Sequence, residues 1–136
     1  DPNKQTKIII DKYDWESSRL PFERTYRRMS NLDDMHENGI HDYMKWIKFG
    51  YGRASDHASK DIRTGYMTRE EGIKMVRNYD HVKPRRDLER WLRYVDMTEE
   101  EFDRIADTFR DSRVWDKDEK QNWVKDNIWD FEEREK

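Results

Sequence analysis

Apolar residues in this chain recur at helical spacing. Ile40, Tyr43, Met44 and Ile47 follow the i, i+3, i+4, i+7 pattern, as do Leu88, Trp91, Leu92 and Val95. Phe102, Ile105, Ala106 and Phe109 repeat it. Ile73, Val76 and Tyr79 make a shorter version, and Val124, Ile128 and Phe131 a looser one. Such spacing lines one face of a helix with 3.6 residues per turn. No stretch of comparable length alternates with period two, and no Asn-Gly or Asp-Gly turn lies between β-branched runs. The pattern therefore predicts an all-α fold: one compact domain, residues 1–136, of about seven or eight short helices.

Punctuation sets the expected boundaries. Thr68–Glu71 and Thr98–Glu101 read as capping boxes, in which the Thr oxygen takes an orphan N–H and the Glu reaches back to the cap. Pro84 suits a first helical turn. Asp96-Met97 is a tight link, and residues 78–83 are a connector. Gly50, Gly52 and Gly65 break one region into helix, loop, short helix and turn. Helices are expected near 4–14, 22–29, 32–48, 55–63, 68–79, 85–95, 98–110 and 119–133, with a charged, fraying tail over 132–136.

Charged residues make up 43% of the chain and hydrophobic ones 33%, against about 25% and about 45–50% in an ordinary domain. Charge alone would suggest disorder, but aromatics reach 13%, and each ring buries about 150–250 Å². A small aromatic core with a charged rim reconciles the two. The net charge of −3 comes from 28 basic and 31 acidic residues, finely interspersed. That mixture gives no broad positive field, so neither nucleic acid nor an anionic membrane is an expected partner. The absence of cysteine excludes disulfides, thiolate metal sites and a cysteine nucleophile. With no signal peptide and no apolar run near the ~20 residues of a membrane helix, a cytoplasmic location is expected. The opening Asp1-Pro2-Asn3 lacks an initiator Met, which suggests a piece of a longer product.

The residues richest in chemistry run from Lys48 to Arg63. Here a helix ends, Gly50 and Gly52 free the backbone, and Ser55 or Asp56 is placed to cap the next helix. A helix N-terminus with free N–H groups is a ready anion seat. Lys48, Arg53 and Arg63 flank it, and Arg grips phosphate or carboxylate with a planar fork. One reading is a clamp for phosphate or sugar hydroxyls formed by Lys48, Gly50, Gly52, Arg53, Ser55 and Arg63. The other is an ordinary C-cap followed by an N-cap, its arginines pairing Asp56 and Asp61. By residue type the capping device is the commoner arrangement. His57 and Asp61 lie one turn apart on one helical face, as a carboxylate-oriented general base would, or as a surface His–Asp pair. They lack a third ligand at any metal-binding spacing, so no metal site is expected. Asn38–Tyr43 reads as a kinked helix start. Arg24, Arg27 and Arg28 read as a basic surface patch salt-bridged to Asp33 and Asp34.

The stretch Lys48-Phe-Gly-Tyr-Gly-Arg53-Ala-Ser-Asp-His57, with Asp61-Ile-Arg63 and Met67-Thr-Arg-Glu-Glu71, resembles the C-terminal region of bacterial N-acetyl sugar amidotransferases. The resemblance extends from about Tyr13 to Trp115, taking in Pro21-Phe-Glu23 and Phe109–Trp115. These enzymes make acetamidino sugars for lipopolysaccharide O-antigen and for pseudaminic or legionaminic acid pathways. The resemblance implies an upstream ATP-pyrophosphatase domain with an S-G-G-x-D-S loop, which these 136 residues lack. It implies that ATP adenylylates an acetamido oxygen, and that ammonia from a glutaminase-type subunit then displaces AMP. No cofactor is expected in this chain itself; ATP and Mg belong to the full-length parent. Under the resemblance, Lys48, Arg53, His57 and Arg63 would face the neighbouring nucleotide site or the nucleotide-sugar, and the candidate catalytic pair is the one read from residue type, His57 and Asp61.

Two other classes compete. A non-catalytic helical interaction module would dock a partner through aromatic surface. A helix-turn-helix DNA binder would need a basic recognition helix that this acidic chain lacks.

Overall fold

A computed structural model of the chain describes residues 1–29, 36 and 38–134, the side chains of 132–134 excepted. Among these, seven helices account for almost all regular structure: α1 (Pro2–Tyr13), α2 (Asn38–Phe49), α3 (Arg53–Arg63), α4 (Arg69–Tyr79), α5 (Arg85–Val95), α6 (Glu99–Asp107) and α7 (Ile128–Arg134). The single exception is a two-stranded antiparallel ribbon, β1 (Asp116–Lys117) with β2 (Trp123–Val124). The domain is mostly helical, as the apolar spacing requires.

The periodic stripes supply the apolar core in part, while Trp91, Ile105 and Phe109 of the α5 and α6 stripes stay exposed. Tyr43 and Ile47 of α2, Leu88 of α5, and Phe102 and Ala106 of α6 form one buried cluster, with Ile40, Met44, Trp46, Leu92 and Met97 packed around it. Both capping boxes form. Thr68 accepts from the Glu71 N–H at 3.2 Å while Glu71 accepts from the Thr68 N–H at 2.8 Å, and Thr98 with Glu101 repeats the pattern at 3.2 and 2.9 Å. The ribbon is tied to this core through Trp115, whose indole N–H donates to the Ile47 carbonyl at 2.7 Å. The Arg110 guanidinium lies 4.3 Å from the Trp115 ring centre and 5.3 Å from that of Trp123, a cation–π bracket between the end of α6 and the ribbon.

Three expected elements take other forms. No helix spans 22–29. That segment is a turn in which the Phe22 N–H bonds the Arg27 carbonyl at 3.1 Å and the Ser18 N–H bonds the Arg28 carbonyl at 2.8 Å. Its side chains satisfy distant groups instead of its own ladder: the Glu23 carboxylate accepts from the Arg86 and Asp87 N–H groups at 3.0 and 3.2 Å. Glu23 thereby caps α5, whose N-cap residue, Pro84, has no side-chain cap bond. Nor does one helix run from 119 to 133. Asp118 accepts from the Lys120 and Asn122 N–H groups at 2.9 and 2.8 Å, and Gln121 takes a φ of 64°. This Asx-type turn reverses the chain into the ribbon, and α7 begins only at Ile128. Third, α3 starts at Arg53 rather than 55, with Gly52 as its N-cap and no side-chain cap from Ser55 or Asp56. The expected start of α2 at 32, the acidic pair Asp33–Asp34 and the last tail residues lie outside the described residues.

Candidate functional site

Helix α3 organises the residues singled out in the sequence, and it places them at separate stations. At its N-terminus the Gly52 N–H and Ser55 N–H donate to the Asp80 carboxylate at 2.9 and 3.1 Å, and the Ser55 hydroxyl donates to it as well. The anion seat at this helix end therefore holds a carboxylate from the end of α4. The guanidinium of Arg24, fully buried, donates to the backbone carbonyls of Asp80 and Val82. Burial lowers its pKa to about 10, with the Asp80 charge opposing the shift, so Arg24 stays cationic at neutral pH. Gly52 is required here by close approach: a Cβ would lie 2.9 Å from Asp80 Oδ1 and 3.0 Å from Arg24 Nη2. Arg24 is thus an interior ion and not part of a surface patch.

In the same first turn, Arg53 is half-buried and faces Asp42 of α2, with its Nε 3.1 Å from both carboxylate oxygens and its Nη2 2.8 Å from one. Asp56 pairs instead with Lys45. His57 is 6% exposed, and its Nδ1 lies 2.7 Å from the Thr25 hydroxyl. Burial, with the nearby charges of Arg27 and Arg53, lowers its pKa to about 3, so the imidazole is neutral under physiological conditions. Asp61 is likewise buried. Its carboxylate accepts from the Tyr26 hydroxyl at 2.5 Å and from the Asn3 amide at 3.1 Å, and pairs with Arg27. Burial alone would raise the Asp61 pKa, but these hydrogen bonds and the Arg27 charge together hold it below the usual range. His57 and Asp61 each turn to a different residue of the 25–27 turn rather than to each other. Lys48 and Arg63 are exposed, and among the described residues neither engages a carboxylate.

Asp61 lines a cleft of about 380 Å³ beside Tyr26 and Arg28, and two further clefts flank this helix. One, of about 410 Å³, opens between α1 and the buried pairs and is lined by Gln5, Thr6, Trp15, Arg27, His57 and Lys60. The other, of about 340 Å³, lies at the opposite end beside Gly50, Tyr51, Ser55, Asp80, Lys125 and Trp129. Gly50 reaches it with a φ of 76°, and burial lowers the pKa of the Lys125 amine there. Of the eight residues singled out, only His57 borders the cleft of about 410 Å³, and Gly50 and Ser55 border that of about 340 Å³. Thr25, Tyr26, Asp80 and Lys125 complete the surroundings without a local sequence signal, and Arg27, which reads in the sequence as part of a surface patch, joins them by pairing with Asp61. Among the described residues, no group of three or more His, Cys, Asp or Glu side chains could hold a metal ion. No helix among them is long and apolar enough to cross a membrane.

A family model described as the C-terminal domain of LPS biosynthesis protein WbpG-like proteins matches residues 10–131. No curated protein matches the chain.

Proposed function

Because the chain belongs to the WbpG-like C-terminal domain family of lipopolysaccharide-biosynthesis proteins, we propose that it is the helical part of an ATP-dependent N-acetyl sugar amidotransferase. The parent enzyme would convert the acetamido group of a nucleotide-sugar to an acetamidino group, in the cytoplasm. The family match over residues 10–131 is the observation that carries this reading. The nucleotide loop, ATP and Mg would belong to an upstream domain of the same protein, and a glutaminase-type subunit would supply ammonia. Support for this division comes from the chemistry of the residues present. The acids of α3 are consumed by internal partners, whereas Lys60 and Arg63 of α3, and Lys48 at the end of α2, remain exposed. Cations so placed suit a clamp on phosphate or on a developing oxyanion contributed by a neighbouring domain. A non-catalytic docking module is the second reading. It is favoured by α1, which buries none of its residues and exposes Ile8, Ile9 and Ile10.

ATP–pyrophosphate exchange by the full-length protein separates the two. Exchange should depend on an N-acetylated nucleotide-sugar. The double substitution Lys48→Ala/Arg63→Ala, which spares every buried partner, should lower it at least tenfold. Sugar-independent exchange would remove the amidotransferase reading. Full exchange in the double variant would leave the segment 48–63 as a structural cap.

A further inference from the structure

Another groove, of about 440 Å³, lies between α2 and α5. Ile40 and Met44, one turn apart on α2, supply apolar wall, and Trp91 and Tyr94 supply it from α5. The two rings sit with centroids 6.2 Å apart and planes inclined by 42°. They are left open to solvent: Trp91 is 38% exposed and Tyr94 84%. Polar groups border the same space. Asp87 and Arg90 come from α5 and His41 from α2.

The fixed part of this rim is Asp87. One of its carboxylate oxygens accepts the Gly39 N–H at 3.0 Å, which holds the side chain at the crossing of α2 and α5. Burial, with the neighbouring Glu23 charge, raises its pKa. Arg90 adds a planar set of donors. His41, whose Nδ1 lies 3.0 Å from Asp42, is more than half exposed at the mouth. Small-ligand sites combine an apolar lining with a few placed polar groups in this way. The apolar part here combines two exposed rings, Trp91 and Tyr94, with the side chains of Ile40 and Met44. A pyranose is the small molecule that matches both halves, since it presents C–H bonds on a ring face and hydroxyl or acetamido groups around its edge. A flat aromatic ligand would match the rings but not the acidic edge. A simple anion would match Arg90 but not Asp87.

We propose that the α2–α5 groove is a saccharide-binding site, in which Trp91 and Tyr94 take the face of a pyranose ring and Asp87, Arg90 and His41 take its polar edge. Its lining shares no residue with the segment 48–63, which it adjoins through His41 and the Asp42–Arg53 pair. It rests on the proposed amidotransferase function only for the expectation that the sugar is N-acetylated.

Saturation-transfer NMR and tryptophan fluorescence titrations on this chain test it, with methyl β-N-acetylglucosaminide, UDP-N-acetylglucosamine and UDP alone as probes. Both sugars should bind and quench the fluorescence, with saturation on the pyranose C–H protons, while UDP alone binds at least tenfold more weakly. Tyr94→Ala, which removes a largely exposed ring, should weaken sugar binding at least fivefold without moving the urea midpoint. Trp91→Ala should weaken it at least tenfold. Equal binding of UDP alone would make the groove an anion site at Arg90 and overturn the proposal. So would sugar binding unaltered in Tyr94→Ala, or no saturation transfer to either sugar. A concentration-dependent dimer abolished by Tyr94→Ala, with no sugar effect, would identify a second copy as the occupant instead. Sugar binding without amidination by the full-length protein would leave this inference standing and remove the proposed reaction.

Discussion

Where α2, α5 and α6 meet, the buried side chains are Tyr43, Ile47, Leu88, Phe102 and Ala106. Where α3 meets the turn at 24–27 and the end of α4, Arg24, Thr25, His57, Asp61 and Asp80 are buried beside only the small apolar Ala54 and Ala58. The first group gains stability from area removed from water, a term without direction, so approximate shape suffices. The second gains only through specific partners, because a buried polar group without one costs the full desolvation. Each half therefore responds differently to the loss of one side chain.

The largest effect is expected at Asp80. Asp80→Ala leaves the Gly52 and Ser55 N–H groups unbonded and removes the charge nearest the buried Arg24 guanidinium. Removing one member of a buried charge arrangement typically costs about 3–5 kcal/mol. In the apolar half, Leu88→Ala removes a side chain 1% exposed and should cost about 3 kcal/mol. Urea midpoints at constant slope give both numbers. Asp80→Asn decides the origin of the first: it keeps the shape, so near-native stability would mean that packing, not charge, holds this junction.

The same contrast explains what could be read from the chain alone. The apolar half is legible because its determinants lie three or four residues apart, so the stripe of α2 announces Tyr43 and Ile47 before any partner is known. Both threonine caps are legible for the same reason. The polar half is written in pairs distant in sequence: Thr25 with His57 across 32 residues, Arg27 with Asp61 across 34, Arg24 with Val82 across 58. Nothing within one turn of Arg24 distinguishes an interior cation from a surface one. The turn at 22–29 reads as a helix, and the Asx-type turn at Asp118 is hidden in a stretch whose loose apolar spacing suits a helix. Of the candidate site, the segment at 48–63 is visible through its glycines and cations. That its helix end is filled by Asp80 is not.

A pH titration sharpens the comparison further. His57 titrates near 6.5 when unfolded and at about 3 in the fold. Between those values the unfolded chain binds a proton that the native one excludes. Stability therefore rises with pH across the window, and the contribution is lost as pH falls toward 3. From pH 6.5 down to 4.5, before most carboxylates protonate, the wild type should lose up to about 1.4 kcal/mol per pH unit. His57→Gln keeps a polar group near Thr25 and should flatten this slope. An equal slope in the variant would mean that the ring takes up its proton without leaving its seat, and the polar half would then be more solvated than its burial indicates.

The smallest effects concern the two kinds of cap, and they bear most directly on legibility. Thr98 caps α6 from within its own capping box, whereas Glu23 caps α5 from 63 residues away. Replacing either by Ala removes acceptors from first-turn N–H groups, and each should cost about 1 kcal/mol in the whole protein. The two losses nevertheless have different reach. A peptide covering residues 96–109 contains everything that the Thr98 cap needs, so Thr98→Ala should lower its helicity by circular dichroism. A peptide covering 82–96 contains no Glu23 and should be poorly helical, since Pro84 supplies no side-chain oxygen. Adding an acceptor there by Pro84→Ser should raise the peptide's helicity while adding little to the folded protein, where Glu23 already occupies the N–H groups. If Pro84→Ser stabilised the whole protein by as much as it helps the peptide, the cap from Glu23 would be incidental, and α5 would belong with the locally determined helices.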